Sequence, residues 1–193
     1  MDRALVVVGA SLGGLAALKV LLGGLSEGFP WPVAVVQHRS AEDSDGALTE
    51  ALQRATRLTV REVEDKEPIE SGRVYLCPAD YHLLIERECF ALSTEARVCG
   101  ARPSIDVLFD SAAAICGRGL VAVVLTGAST DGSAGAVRVK AVGGVVIVQD
   151  PATAESPTMP RAVLRAVEPD RVLALDAIAP ALNLLAAREV AAE

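Results

Sequence analysis

Four short apolar runs constrain this chain more than anything else in it. Ala4–Val8, Val33–Val36, Leu120–Leu125 and Val145–Val148 are nearly continuous and rich in valine. A strand with one wet face alternates apolar and polar residues, whereas a strand buried on both faces does not. Such runs predict a parallel sheet covered by helices. Helical spacing lies between them. Leu15, Leu18, Leu22 and Leu25 share one face after the first run. Ile105, Leu108, Ala112 and Ile115 repeat the pattern after Pro103, with Ser104 as N-cap. Ala134, Val137 and Ala141 mark a third helix, and residues 157–165 and 176–188 suggest two more. Leu58–Val63 reads as a further strand. Residues 73–94 hold strand-like pieces, Val74–Leu76, Leu83–Ile85 and Phe90–Leu92, with no helix between them. That pattern predicts an antiparallel hairpin insertion. The expected fold is α/β: a doubly wound, mainly parallel, Rossmann-like sheet with a small antiparallel hairpin, in one domain over residues 1–193.

Composition removes whole classes of function. Hydrophobic residues are 51% and charged residues 22% of the 193, which excludes a disordered chain. Aromatics are only 3%, so the core has to be aliphatic. The net charge is −7 and no basic cluster interrupts it, so neither nucleic acid nor an anionic membrane surface is an expected partner. The first apolar run follows Asp2-Arg3 and is too short for a secretion signal, and no window approaches the ~18–20 apolar residues of a membrane span. The four cysteines, Cys77, Cys89, Cys99 and Cys116, form no CxxC pair, and His38 and His82 are the only histidines. No metal site is expected from that spacing. Reduced cysteines in a cytoplasmic protein are.

In doubly wound sheets, sites form beyond the carboxyl ends of the strands. After the four runs come Gly9-Ala10-Ser11-Leu12-Gly13-Gly14, Gln37-His38-Arg39-Ser40, Thr126-Gly127-Ala128-Ser129-Thr130-Asp131-Gly132 and Gln149-Asp150-Pro151. A strand order of 3-2-1-4, the hairpin not counted, puts Ser11 between His38 and Asp131, with strands ~4.8 Å apart. Asp131 then has to lean across to His38, which its six-residue lead-in allows. The glycine turn has three readings. It fits the G-x-S-x-G elbow that exposes a nucleophilic serine. It nearly fits the dinucleotide fingerprint, but Gln37-His38 stands where that motif wants an acid for the ribose. It is also compatible with a plain turn whose serine caps a helix. His38 can be a loop histidine, and Asp131 can be a cap for the helix near Gly132. His82 reads as a packing residue of the hairpin. Arg102 either anchors a substrate carboxylate or pairs with a surface acid.

At these residues the chain resembles the catalytic domain of the chemotaxis protein-glutamate methylesterases, over Val6 to about Val172. The shared blocks are Gly9–Gly14, Gln37-His38, Arg102–Phe109, Leu125–Gly127, Asp131-Gly132 and Met159–Arg161. The resemblance implies the fold already expected and a catalytic triad on Ser11, His38 and Asp131. It implies backbone donors near Leu12 and Ala128 for an oxyanion, no cofactor, and hydrolysis of glutamate methyl esters on bacterial chemoreceptors, with glutamine deamidation as a second activity. It also implies a catalytic domain without the receiver domain that commonly precedes it. Three positions depart from the family pattern. Leu12 replaces threonine, Arg39-Ser40 replaces an apolar residue and proline, and Ala128-Ser129 replaces Met-Gly. A related stand-alone esterase or amidase with another substrate is one alternative. A binding module that keeps the fold without turnover is the other.

Overall fold

Seven strands hydrogen-bond into one sheet in the order β3-β4-β2-β1-β7-β8-β9, and every neighbouring pair runs parallel. In chain order these are β1 (Leu5–Ala10), β2 (Val33–Gln37), β3 (Thr59–Glu62), β4 (Arg73–Leu76), β7 (Leu120–Val124), β8 (Val145–Gln149) and β9 (Arg171–Leu173). Two others, β5 (His82–Ile85) and β6 (Phe90–Ser93), make a separate antiparallel hairpin. The helices are α1 (Gly14–Gly24), α2 (Ala47–Gln53), α3 (Ile105–Cys116), α4 (Ser133–Ala141), α5 (Thr158–Ala166) and α6 (Leu175–Val190). The computed structural model describes residues 4–40 and 46–190, so both ends of the expected 1–193 domain lie outside the described residues. Among the described residues no helix is long and apolar enough to cross a membrane.

The valine-rich runs are the central strands, as their two-sided burial requires. Val6, Val8, Val33 and Val35 face one core layer with α1, α2 and α6. Leu5, Val7, Ala34 and Val36 face the other, with α3, α4, α5 and the hairpin. Alternate residues of one strand thus enter different cores, which is why no polar alternation was written into them.

Four expectations change in detail. Residues 73–76 are not part of the hairpin: β4 lies between β2 and β3 in the parallel sheet, so the antiparallel insertion is only β5–β6. The β3–β4 connection contains no helix, and it was that gap that imitated a meander. Strand β9 was not expected at all; it is three residues long and mostly exposed. On α1 the buried stripe is Ala17, Leu18, Leu21, Leu22 and Leu25, while Leu15 is 40% exposed at its edge. On α4 the buried residues are Gly135, Ala136 and Val139; Ala134, Val137 and Ala141 face outward. That helix packs against α3 through a glycine, so its inward face is turned by one residue from the most apolar one.

Candidate active site at the carboxyl edge of the sheet

The strand order sets the site. Strand β1 is flanked by β2 and β7, so the residues after each stand side by side. Ala10 pairs with Gln37, and the N–H of His38 donates to Ala10 O at 2.9 Å. The Ser11 N–H donates to Thr126 O at 3.0 Å on the other side. Ser11 and His38 line one cleft of about 690 Å³, together with Leu12, Gly13, Leu15, Lys19, Gln37 and Glu155.

The turn at Ser11 is held by its backbone. Gly13 has φ 77°, in the left-handed region, and only there does the chain turn straight from β1 into α1. The Gln37 side chain donates to the carbonyls of Ser11 (2.8 Å) and His38 (3.0 Å), tying the two together. The Thr126 hydroxyl donates to Leu12 O at 2.9 Å and accepts from the Ser156 N–H at 2.8 Å. Gly127 lies directly against the serine: a methyl group there would come within 2.8 Å of Ser11 Cβ and 2.6 Å of Met159 Sδ. Among the described residues, no partner is found for the N–H groups of Leu12 and Ala128, which leaves both open as donors.

Asp131 is completely buried and is the best-bonded side chain of the site. His38 Nε2 lies 2.7 Å from its Oδ2. The same oxygen accepts from the Ile105 N–H at 2.7 Å. Its Oδ1 accepts from the Ser104 hydroxyl (2.9 Å) and from the N–H groups of Asp106 (2.9 Å) and Gly132 (3.0 Å). Burial alone would raise this carboxyl. The bond from His38 and the N–H groups of Asp106 and Ile105 outweigh it and hold Asp131 below the usual carboxylate range. Because the carboxylate can only accept, His38 donates Nε2–H to it, and in the neutral ring this tautomer leaves the lone pair on Nδ1. The neighbouring Asp106 shifts the other way. Burial raises its carboxyl, the Gly135 N–H opposes, and the charge of Asp131 adds to the rise.

Asp131 therefore does cap a helix, but not only the one expected. Besides Gly132 before α4, it caps the first turn of α3, and Ser104 makes no cap bond of its own. His82 packs into the hairpin, as expected, and has a second task. Its Nδ1 accepts the Ser104 N–H (3.2 Å) while Nε2 donates to Ala96 O (3.1 Å), which steadies the residue beside Asp131. Arg102 does not line the cleft. Its guanidinium donates to Asp80 Oδ1 (2.8 and 3.0 Å) and to the carbonyls of Thr94 and Glu95, the arrangement of the acid-pairing alternative among its two readings. The unusual Arg39 is also structural: almost wholly buried, it binds Glu62 at 2.6 Å and Cys77 O at 2.8 Å, tying the ends of β3 and β4. Leu12, by contrast, is 56% exposed in the cleft wall. None of the four cysteines is joined in a disulfide; burial pushes the Cys116 thiol up to about 11 and Cys77 higher still. Sequence reasoning named Gln37 and Ser104 without their contacts to Ser11 and Asp131, and did not single out Glu155, because these approaches join segments far apart in the chain.

Comparison with known proteins points one way. The family model described as CheB methylesterase matches residues 6–182. A putative protein-glutamate methylesterase/protein-glutamine glutaminase of Leptospira interrogans is 43% identical over 180 residues, covering 93% of this chain and 93% of that protein. The protein-glutamate methylesterase/protein-glutamine glutaminase of Thermotoga maritima is 36% identical over 88% of this chain, which spans half of that longer protein. The crystal structure of the Thermotoga maritima CheB methylesterase catalytic domain superposes with a TM-score of 0.92 at 35% identity, over 96% of this chain and all of that one.

Proposed function

The chain belongs to the CheB methylesterase family, and from that premise we propose that it hydrolyses glutamate side-chain methyl esters of a chemoreceptor protein with Ser11, His38 and Asp131 as a triad. The observation that carries the reading is the 2.7 Å bond from His38 to a buried, ionised Asp131, on the strand end next to Ser11. Ser11 Oγ attacks the ester carbonyl as His38 Nδ1 takes its proton. Asp131 fixes the tautomer and stabilises the imidazolium that forms. The tetrahedral oxyanion sits between the N–H groups of Leu12 and Ala128, each donor worth roughly 3–4 kcal/mol. Collapse breaks the bond to methoxide, which leaves as methanol with the His38 proton. Water, deprotonated by His38, then releases the glutamate carboxylate from Ser11. A glutamine side-chain amide is open to the same attack, with ammonia as the leaving group, and deamidation is included in the proposal. Neither reaction needs a metal or cofactor in this scheme. Four cysteines with no disulfide among them suit a reducing compartment, and the proposal puts the enzyme in the cytoplasm.

The test is methanol release from methylated receptor, together with labelling by a fluorophosphonate probe. Wild type should do both. Ser11→Ala should lose both while keeping its unfolding midpoint, and His38→Ala should lose turnover by roughly 10³-fold or more. Undiminished turnover in Ser11→Ala would end the proposal.

A further inference from the structure

We propose that Glu155 forms an acidic subsite in the cleft that selects ester-bearing side chains lying next to a cationic residue. This deepens the proposed function and rests on it. Glu155 stands in the loop between β8 and α5, exposed, and lines the same cleft as Ser11 and His38. Its side chain lies over the nucleophile turn: a methyl group on Gly13 would meet Glu155 Oε2 at 2.6 Å and Glu155 Cβ at 2.8 Å. The carboxylate is thus one residue from the open N–H of Leu12 and two from Ser11.

Other exposed acids, Glu64, Glu88, Glu95 and Asp176 among them, also stand outside any ion pair among the described residues; Glu155 is the acid that lines this cleft. Glu155 makes no ion pair or hydrogen bond among the described residues, although Lys19 lines the same cleft. Lys19 lies one turn along α1, on the face shared by Leu15 and Ala16, and no ion pair joins it to Glu155.

A bare anion at this point acts in two ways. It opposes the negative charge that develops on the ester oxygen beside Leu12, a like-charge repulsion that salt screens. It also attracts any cation the substrate carries into the cleft. A lysine or arginine beside the ester-bearing residue does both jobs at once: it binds Glu155 and removes the penalty on the transition state. A neighbouring acid makes both worse. One residue therefore discriminates by attraction and by repulsion.

The test uses the full chain and three peptides that differ only in the residue following a glutamate γ-methyl ester: lysine, alanine or glutamate. Wild type should favour the lysine peptide over the glutamate peptide about 10–100-fold in kcat/KM, and the ratio should shrink between about 20 mM and about 500 mM salt. Glu155→Gln should bring the ratio within about threefold and speed the alanine peptide; Glu155→Lys should invert it. A ratio unchanged in Glu155→Gln overturns the subsite while leaving the esterase reading intact. If no peptide releases methanol, the esterase reading fails and the subsite is read on p-nitrophenyl esters. The pair is a trimethylammonium butyrate ester and its neutral tert-butyl isostere. Ser11-dependent preference for the cation that disappears in Glu155→Gln supports the subsite. Equal rates, or no Ser11-dependent hydrolysis, overturn it.

Discussion

Asp131 shows how one side chain can bind fold and chemistry together. Its carboxylate takes one bond from His38, one from Ser104 and three from backbone N–H groups, all without exposure to solvent. Asp131→Asn cannot accept at both ends, so one of these donors meets an amide N–H. Turnover should fall about 10³–10⁴-fold, as expected when the histidine loses its tautomer. Stability should fall too, by about 2 kcal/mol or more, because buried donors are left without a partner. The pH dependence has a definite sign. The folded state holds this carboxyl below its unfolded value, so folding gains from its ionised form. That gain is complete above the unfolded value near ~4 and is lost as pH falls through the lower folded value. Urea midpoints of wild type and Asp131→Asn should therefore be far apart at neutral pH and converge in acid.

Among the elements, the connections decide more than the strands and helices do. Strands β1, β2, β7 and β8 could be read directly, because burial on both faces leaves an unbroken apolar run. Their order then followed from the doubly wound pattern, and with it the meeting of Ser11, His38 and Asp131 at one edge. Strand β4 could not be placed, since nothing in Arg73–Leu76 says whether its partner is parallel or antiparallel. The inward face of α4 was misjudged because small residues, not the most apolar ones, face α3. The role of Ser104 depends on His82 and Asp131, 22 and 27 residues away, and no local pattern announces such a contact. The β7–α4 connection supplies a prediction at this level. Gly127→Ala puts a methyl group 2.8 Å from Ser11 Cβ and 2.6 Å from Met159 Sδ. The thioether can swing aside, but the serine backbone is fixed by Thr126 and Gln37. Ser11, the nucleophile of the proposed mechanism, moved by a fraction of an ångström should lose about 10–100-fold in kcat. The unfolding midpoint should drop only a few degrees, so paired kinetics and thermal melts separate the two effects.

Across the whole molecule, the sheet divides two aliphatic cores, and the site straddles the boundary. The turn at Ser11 leads into α1 above one core, while Asp131 reaches α3 above the other. A lesion deep in either core should therefore remove folded molecules without altering those that remain. Leu182, fully buried on α6, is the test: Leu182→Ala should cost about 2–5 kcal/mol by urea unfolding, yet leave kcat per folded molecule within about twofold. The five-fold anchoring of Asp131 has a converse that bears on descent. A descendant that no longer hydrolysed esters could discard Ser11 at no structural expense, since its side chain holds nothing up. It could not discard Asp131 without unfastening α3 and α4 from the sheet edge. In a lineage drifting away from catalysis, the aspartate would outlast the serine. Its presence in a sequence therefore testifies first to architecture, and Ser11, with the open N–H groups beside it, is the better witness to activity.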